Sequence, residues 1–120
     1  MATVNVTFDS FEDAVLRDGI AFVDFWSDWC GPCRRFAPVF EAVSEQHPDI
    51  TFGRVDIDAE RRLATEARIE SIPTVMAFRD GVLVFAQPGA MSAAGLEHVI
   101  QLVRDLDINE VRRQTADGSA

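Results

Sequence analysis

The stretch IAFVDFWSDWCGPC, residues 20–33, decides the fold, because it joins an apolar run to the chain's only two cysteines. Residues 20–26 are nearly all apolar, which is typical of a strand covered on both faces inside an α/β sheet. Cys30 and Cys33 follow where the strand pattern gives way to a helix pattern, and the partial positive charge of a helix N-terminus stabilises a thiolate. The stretch therefore predicts a buried strand that delivers a nucleophilic sulfur to the start of a helix.

Hydrophobic spacing on either side of this stretch predicts the other elements. Strands are expected over residues 3–7, 50–57, 74–78 and 82–85. The first helix is expected after Asp9, which would form a capping box with Glu12, and the second over about residues 31–46. The third is expected over residues 59–68, capped by Asp58, and the last after Ser92. Asp80-Gly81, between the last two strands, is the signature of a tight β-hairpin. The order predicts an α/β fold: a mixed five-stranded sheet of three parallel strands plus an antiparallel hairpin, with helices on both faces.

The length and composition suit one domain, since the chain has 120 residues of which 48% are hydrophobic. We place that domain over residues 1–107. The polar residues 108–120 are expected to form a tail that is disordered or adds a helical turn.

The charge distribution excludes several classes of function. The net charge is −9, and all eleven basic residues are scattered arginines, which is a poor surface for nucleic acid or anionic lipid. The charged first 20 residues contain no secretory apolar segment, and no run approaches the ~20 apolar residues of a membrane span. We therefore expect a soluble, cytoplasmic monomer that binds neither nucleic acid nor membranes.

Two cysteines three positions apart serve zinc sites as well as redox sites. A structural zinc needs four ligands, and besides the two sulfurs the chain offers only His47 and His98 as histidine ligands. We expect His47 at the far end of the helix that begins at the cysteines, and His98 among solvent-facing residues of the last helix. In a reducing cytoplasm such a pair is more often catalytic or metal-binding than a structural disulfide. A redox dithiol without a metal is therefore favoured over a zinc site or two unrelated thiols.

The positions of the two sulfurs predict different roles. Cys30 precedes the helix, where we expect it to be exposed and to attack a disulfide as a thiolate. Cys33 lies one turn inside and is expected to be more buried, so it resolves the mixed disulfide and releases the substrate. Pro32 needs no hydrogen-bond partner near the helix start and stiffens the loop. No histidine stands between the cysteines to stabilise the thiolate further, which favours a reductant over an oxidant.

Asp24 is a carboxyl group inside the apolar strand, six residues before Cys30. Burying a carboxylate is unfavourable unless the group is neutral or has a partner. One interpretation is a buried acid of raised pKa that accepts the proton of Cys33 when that thiol attacks. The other is a side chain that turns to an edge or pairs with an arginine. Arg54, on the next strand, either reaches the same layer or is a surface charge.

Residues 24–33, DFWSDWCGPC, resemble the active-site signature of the thioredoxins. The chain also resembles that family, in the same order and at similar spacing, in Phe36-Ala37-Pro38, Val55-Asp56-Ile57-Asp58, Ile72-Pro73-Thr74, the Asp80-Gly81 hairpin and Gly89-Ala90. The resemblance covers roughly residues 3–106 and implies the thioredoxin fold. It also implies reduction of disulfides in partner proteins, with the chain reduced again by NADPH through a flavoprotein thioredoxin reductase and with no cofactor bound to the chain itself.

The resemblance implies further site residues that spacing does not show. Pro73 should follow a cis peptide bond and face the cysteine pair, whereas an ordinary trans proline at the start of a strand is the alternative. Backbone groups of Ile72 would hold an extended segment of the substrate. The substrate groove would be formed by Trp29, Gly31, Pro32, Ile72, Thr74, Gly89 and Ala90.

Some residues depart from the family pattern. Arg54 stands where the family more often has lysine, and a permanent guanidinium favours the ionised form of Asp24 more firmly. Pro88 removes a backbone donor at the groove edge, and Arg34-Arg35 either steer acidic partners or form a solvated helix face. Two other functions stay open: an oxidase or isomerase of the same fold, and a binding module or holdase whose thiols are incidental.

Overall fold

The computed structural model describes residues 2–118, and for residues 114–118 it describes only the backbone. The elements are β1 (Thr3–Asn5), α1 (Phe11–Val15), β2 (Ile20–Trp26), α2 (Gly31–Ser44), β3 (Thr51–Asp56), α3 (Arg61–Glu66), β4 (Thr74–Arg79), β5 (Val82–Pro88), α4 (Ala93–Arg104) and α5 (Ile108–Gly118). The elements from β1 to α4 follow the predicted order. Where a disordered tail or one added helical turn was expected, the chain forms α5, a helix of 11 residues. Met1, Ser119 and Ala120, at the ends of the predicted domain and tail, lie outside the described residues.

The five strands form one mixed sheet in the order β1-β3-β2-β4-β5. β1, β3 and β2 run parallel, because each connection between consecutive strands contains a helix that carries the chain back to the same end of the sheet. β4 runs antiparallel to β2 and pairs with β5 in a hairpin. The predicted sheet of three parallel strands plus an antiparallel hairpin is confirmed, with β2 at its centre.

The hairpin turn lies at Asp80-Gly81, as predicted. Asp80 and Gly81 both have positive φ, 52° and 81°, which a two-residue hairpin turn of the primed type requires. Asp80 also ties the turn to the residue before β2. Its backbone N–H donates to the Gly19 carbonyl at 2.8 Å, and its Oδ1 accepts from the Gly19 N–H at 2.7 Å.

The side chains of β2 alternate between two cores, one on each face of the sheet. Phe22 packs with residues of α2 and α4, and its ring stacks on that of Phe52 with 5.8 Å between centroids. Val23 and Phe25 pack on the other face with residues of α1 and α3. Helices therefore cover both faces, as predicted, and residues 21–25 of β2 are all buried.

The N-cap of α1 lies one residue later than predicted. Ser10, and not Asp9, precedes the helix, and no side-chain hydrogen bond caps it. The Oγ of Ser10 instead accepts from the N–H of Thr7 at 2.9 Å, in the turn before the helix. The predicted capping box of Asp9 and Glu12 is therefore wrong.

α3 also begins later than predicted, at Arg61 and not at Ala59. The carboxylate of Asp56 accepts hydrogen bonds from the N–H groups of Asp58 and Ala59, at 2.9 and 3.4 Å, and holds these residues in a turn. Asp58 therefore does not cap the helix, since the residue before α3 is Glu60.

α4 and α5 complete the helices. Ser92 caps α4 as predicted, with its Oγ accepting from the N–H of Gly95 at 3.0 Å. α5 contacts the hairpin through Arg112, whose guanidinium donates to the Asp80 carbonyl at 3.2 Å. Within residues 2–118, the structure contains no helix with the length and apolar character needed to cross a membrane.

Gly53 of β3 leaves space that Val6 fills. A Cβ atom built at Gly53 would lie 2.6 Å from Cγ2 of Val6, whose side chain is only 2% exposed and cannot turn to solvent. We expect Gly53→Ala to lower the free energy of unfolding by about 1–3 kcal/mol, because overpacking a filled core is destabilising. Urea unfolding followed by tryptophan fluorescence measures this change.

The Val6→Ala background provides the control for this prediction. It removes the methyl group that a new Cβ atom would meet, so Gly53→Ala should lower the free energy of unfolding less there than in the parent. If Gly53→Ala lowers the free energy of unfolding equally in the two backgrounds, the proposed clash between its Cβ atom and Val6 is contradicted.

Candidate functional site

Cys30 and Cys33 lie at the junction of β2 and α2, where a disulfide joins them with Cα atoms 5.2 Å apart. Cys30 is the N-cap of α2 and has an extended backbone, and its Sγ accepts from the N–H of Cys33 at 3.1 Å. Gly31 and Pro32 form the first two helical positions. Backbone N–H groups at these positions have no acceptor within the helix, so proline, which lacks an N–H, loses no hydrogen bond there. The sulfur of Cys30 thus lies where the first N–H groups of a helix point, which stabilises a thiolate.

Both cysteines are buried in this disulfide form, with Cys30 5% and Cys33 1% exposed. The prediction that Cys30 is exposed is therefore wrong for this form, because its Sγ is bonded to Cys33 and lies 3.8 Å from the carbonyl oxygen of Ile72. The predicted ranking is confirmed, since Cys33 is the more buried of the two. The contact with Ile72 brings the loop before β4 against the disulfide.

Pro73 follows Ile72 in this loop, and the peptide bond between them is cis, as the resemblance implied. The Pro73 carbonyl accepts a hydrogen bond from the N–H of Gly89 at 2.7 Å. Gly89 has a φ of +101°, a conformation that residues with a side chain rarely adopt. This bond draws the end of β5 to the loop, so that segments far apart in sequence meet beside Cys30.

The other predicted groove residues differ in how much they reach the surface. Thr74 is 8% exposed, and its hydroxyl donates to the Ser71 carbonyl at 2.6 Å, so its side chain supports the loop from within. Pro32 and Ala90 are exposed. Pro88 lies opposite Thr74 at the end of β5 and adds no backbone donor there.

Trp29 is the most exposed large apolar side chain in the described part of the chain, at 66%. Its indole N–H donates to Oδ2 of Asp58 at 2.9 Å. The sequence predicted Asp58 only as a helix cap and missed this bond, because a contact between loops after two different strands leaves no local signal. The bond orients an exposed aromatic ring next to Cys30.

Arg34 and Arg35 are exposed on α2 directly after Cys33. A Cβ atom built at Gly31 would lie 3.5 Å from a terminal nitrogen of Arg35 and 4.0 Å from one of Arg34. Arg34 also donates to the Asp28 carbonyl at 2.7 Å. Two guanidinium groups therefore lie beside the cysteine loop of an otherwise acidic chain.

Asp24 lies at the centre of β2, between Arg54 of β3 and Val75 of β4, and is 0% exposed. Because side chains alternate along a strand, it shares the α2 face with Phe22. Its Oδ2 accepts from Nε of Arg54 at 3.4 Å, and its Oδ1 has no partner among the described residues. Burial raises the pKa of Asp24 from 3.8 to about 6, and the attraction of Arg54 opposes this rise only in part. Burial and arginine pairing, which the sequence left as alternatives, occur together.

Arg54 lies in the same layer as Asp24 and is not a free surface charge. Its side chain is 21% exposed, and its guanidinium carbon lies 4.4 Å from the centre of the Trp26 ring. The guanidinium therefore meets the carboxylate through Nε while it lies over an aromatic ring.

Two further polar atoms on this part of β2 were not predicted. Nε1 of Trp26 and Oγ of Ser27 are buried without a hydrogen-bond partner among the described residues, as is Oδ1 of Asp24. For Trp26 the period of two along the strand was a usable signal, since it places this residue on the face of Asp24. The orientation of the Ser27 hydroxyl has no signal in the sequence. This face of β2 is therefore more polar than the apolar run suggested.

His47 is engaged in an ion network at the end of α2. Its Nε2 lies 2.6 Å from Oε1 of Glu97, and its Nδ1 lies 3.0 Å from a guanidinium nitrogen of Arg104. A metal would need one of these two ring nitrogens, and both already face other groups. Among the described side chains, no group of three or more His, Cys, Asp and Glu is placed to hold a metal.

The thioredoxin family model matches residues 2–102 of the chain. The chain is 45% identical over 119 residues to a protein of Streptomyces coelicolor named putative thioredoxin 2, with 99% of this chain and 89% of that protein aligned. It is 36% identical to thioredoxin-1 of Saccharomyces cerevisiae over 78% of this chain and 91% of that protein. It is 42% identical to a thioredoxin of Chlamydia muridarum over 63% of this chain and 74% of that protein.

These similarities agree with the chemistry of the Cys30–Cys33 disulfide. The family exchanges thiols with disulfides and needs no bound cofactor, because the two sulfurs themselves carry the electrons. A family match over residues 2–102, together with relatives that are 45% and 36% identical and aligned over 89% and 91% of their own length, shows that this chain belongs to the thioredoxin family of thiol-disulfide oxidoreductases.

Proposed function

We propose that the chain reduces disulfides in partner proteins, with Cys30 as the nucleophile and Cys33 as the resolving thiol. One observation carries the proposal: a Cys30–Cys33 disulfide at the N-terminus of α2, with the buried carboxyl of Asp24 on the face of β2 that packs against the same helix. Two consecutive thiol-disulfide exchanges account for the reaction.

In the first exchange, the Cys30 thiolate attacks one sulfur of the substrate disulfide. A bond forms between Cys30 and that sulfur, the substrate S–S bond breaks, and the other substrate sulfur leaves as a thiolate. The support is the position of Cys30 as N-cap, with the Cys33 N–H donating to its Sγ at 3.1 Å. Such donors stabilise the negative charge of an attacking thiolate.

In the second exchange, the Cys33 thiol gives its proton to Asp24 and attacks the Cys30 sulfur. The Cys30–Cys33 bond forms, the bond between Cys30 and the substrate breaks, and the second substrate sulfur leaves as a thiolate, so two electrons have passed to the substrate. With a pKa raised to about 6 by burial, Asp24 is ionised at neutral pH yet close enough to its pKa to accept a proton efficiently. Arg54 modulates this acceptor, because its charge holds the pKa below the value that burial alone would set.

The substrate would bind across the surface that surrounds the disulfide. The Ile72 carbonyl lies 3.8 Å from the Cys30 sulfur, which suits an acceptor for the backbone of an extended substrate segment, and Pro73 forms the wall beside it. The exposed Trp29 ring, held by Asp58, supplies apolar contact area. We assign the groove to Trp29, Gly31, Pro32, Ile72, Thr74, Gly89 and Ala90.

The reduced form would be restored by a separate flavoprotein, a thioredoxin reductase that uses NADPH. A pair of sulfurs can store two electrons but cannot collect them from a nicotinamide by itself, which supports an external reductase. We also propose that the chain acts as a monomer in the cytoplasm, where a dithiol of this kind is kept reduced. In this chain, residues 1–107 would form the domain that reduces disulfides, and α5 would lie outside that domain.

The matched variants Cys30→Ser and Cys33→Ser separate the two roles. In an assay with NADPH, thioredoxin reductase and insulin as the disulfide protein, we expect both variants to lose all measurable turnover, because each exchange needs its own sulfur. Mass spectrometry should find a covalent substrate adduct on Cys33→Ser, where the first exchange still occurs, and none on Cys30→Ser.

Other outcomes would change specific assignments. Release of substrate by Cys33→Ser, or an adduct on Cys30→Ser, would contradict the roles of the two sulfurs. Insulin reduction driven by dithiothreitol without NADPH consumption would reject only the reductase as partner. Faster oxidation of a dithiol peptide than reduction of its disulfide would indicate an oxidase.

The raised pKa of Asp24 predicts a stability that falls as pH rises. The folded chain holds the Asp24 proton up to about pH 6, whereas an unfolded chain releases it near 3.8, so the stabilisation present below the lower value is lost between the two. The loss is on the order of 3 kcal/mol at most, since each unit of pKa shift corresponds to ~1.4 kcal/mol. Asp24→Asn should flatten this decline in urea unfolding of the oxidised chain.

Asp49→Asn is the matched control, because the pKa of this exposed carboxyl is shifted the opposite way. A hydrogen bond from Arg104 lowers the pKa of Asp49 to about 2, so its stabilisation is present above 3.8 and is lost only as pH falls toward 2. The decline from pH 4 to pH 6 should therefore persist in Asp49→Asn. A full decline in Asp24→Asn would contradict the raised pKa.

The proton-acceptor role predicts a change in rate as well as in stability. In single-turnover release of substrate from the mixed disulfide, the parent rate should rise as pH passes about 6. Asp24→Asn should lose this rise and be slower at neutral pH by at least about tenfold, because Cys33 then lacks its acceptor. Identical pH profiles for parent and variant would show that another group accepts the proton.

A further inference from the structure

The helices cover the two faces of the sheet unequally. On one face lie α2 and α4, of 14 and 12 residues, whereas α1 and α3 on the other face have only 5 and 6. The short pair leaves part of β4 and β5 uncovered, and a groove of about 690 Å³ opens there. This volume is within the range of binding sites.

The floor of the groove is apolar. Phe11 and Phe78 meet edge to face with 5.8 Å between ring centres, and Met76 and Leu63 continue the floor. At its margin Leu83 is 48% exposed. Large apolar side chains at the edge of a concave apolar surface are typical of a surface that binds another apolar surface.

The rim of the groove is acidic. It carries the four carboxylates of Asp9, Glu12, Asp13 and Glu66, against two guanidinium groups: that of Arg68 in the lining and that of Arg62, which lies 4.2 Å from the centre of the Phe8 ring at its edge. Glu66 pairs with Arg62 at 3.2 Å, whereas in the described part of the chain no side-chain hydrogen bond or ion pair engages the other three carboxylates. The groove therefore combines an apolar floor with available negative charge.

We propose that this groove docks a basic amphipathic helix of a partner protein. The place that a longer helix would occupy on this face is open, so a helix can lay its apolar side on the floor and direct its Lys and Arg residues to the acidic rim. A second copy of this chain is disfavoured, because each copy carries a net charge of −9.

The docking surface is separate from the redox site. Asp24 and the cysteine-bearing helix α2 lie on the opposite face of the sheet from α1, α3 and the groove. A partner bound in the groove would therefore leave Cys30 and its surroundings accessible to substrate.

Two labelled peptides of about 18 residues, both patterned as amphipathic helices, test the charge preference. One carries Leu and Lys, the other Leu and Glu at the same positions, and fluorescence anisotropy follows their binding to the full chain. The Leu/Lys peptide should bind at least about tenfold more tightly than the Leu/Glu peptide, and added salt should weaken it. Equal binding of the two peptides, or no binding of the Leu/Lys peptide, would overturn the proposal.

Variants locate the binding on the chain. Leu83→Ser should weaken Leu/Lys binding by about tenfold through lost apolar contact, and Glu12→Gln with Asp13→Asn by about fivefold through lost charge. The matched control Glu45→Gln with Asp105→Asn removes two exposed carboxylates outside the groove and should bind like the parent.

Insulin reduction should be unchanged in all these variants, and circular dichroism should show them folded. Unchanged peptide binding in both groove variants would overturn the proposal, as would an equal loss in the control. Self-association of the parent that Leu83→Ser abolishes would instead identify a second copy as the occupant. If the parent does not reduce insulin, the proposed function is rejected, whereas the peptide-binding result still stands.

Discussion

β2 is hydrogen-bonded on both edges and covered on both faces, and the rest of the structure depends on this enclosure. β3 pairs with one edge and β4 with the other, while residues 21–25 are all buried. Every side chain from residue 21 to residue 25 must therefore be accommodated by protein groups and not by water. The first exposed residues come after Ser27, at Asp28 and Trp29, where the chain turns toward Cys30 and begins α2.

Asp24 is the one carboxylate placed inside this enclosure, and two opposing effects set its character. Removal from water favours the neutral acid, whereas the charge of Arg54 favours the carboxylate. Arg54 can act here because its planar guanidinium donates to Asp24 through Nε while it lies over the Trp26 ring, which a lysine ammonium could not do in the same way. The balance leaves a group that changes protonation near neutral pH.

The elements set by local pattern could be predicted from the sequence. β2 was visible as an apolar run, the hairpin as Asp80-Gly81, and the start of α4 as Ser92. These features follow from burial, positive φ and capping, which depend on neighbours in sequence. The predicted starts of α1 and α3 were wrong because Ser10 and Asp56 bond to other backbone groups.

The site was predictable in its residues but less so in its contacts. Cys30 and Cys33 followed from their spacing, yet the burial of Cys30 depends on a carbonyl that the chain supplies 42 residues later. The bond between Trp29 and Asp58 and the groove between α1 and α3 likewise arise only when distant segments pack. Such contacts leave no periodic signal, since each depends on two surfaces that meet only in the folded chain.

The order of strands in the sheet also decides when the site can exist during synthesis. β2 is made early, but its antiparallel neighbour β4 ends at Arg79, which pairs with Ile20. Contacts of such large sequence separation close late, because the loop entropy must be overcome before the pairing contributes. A ribosome has therefore exposed both cysteines well before Ile72, Pro73 and Gly89 emerge, and until then the two sulfurs lack the neighbours that this later part of the chain supplies.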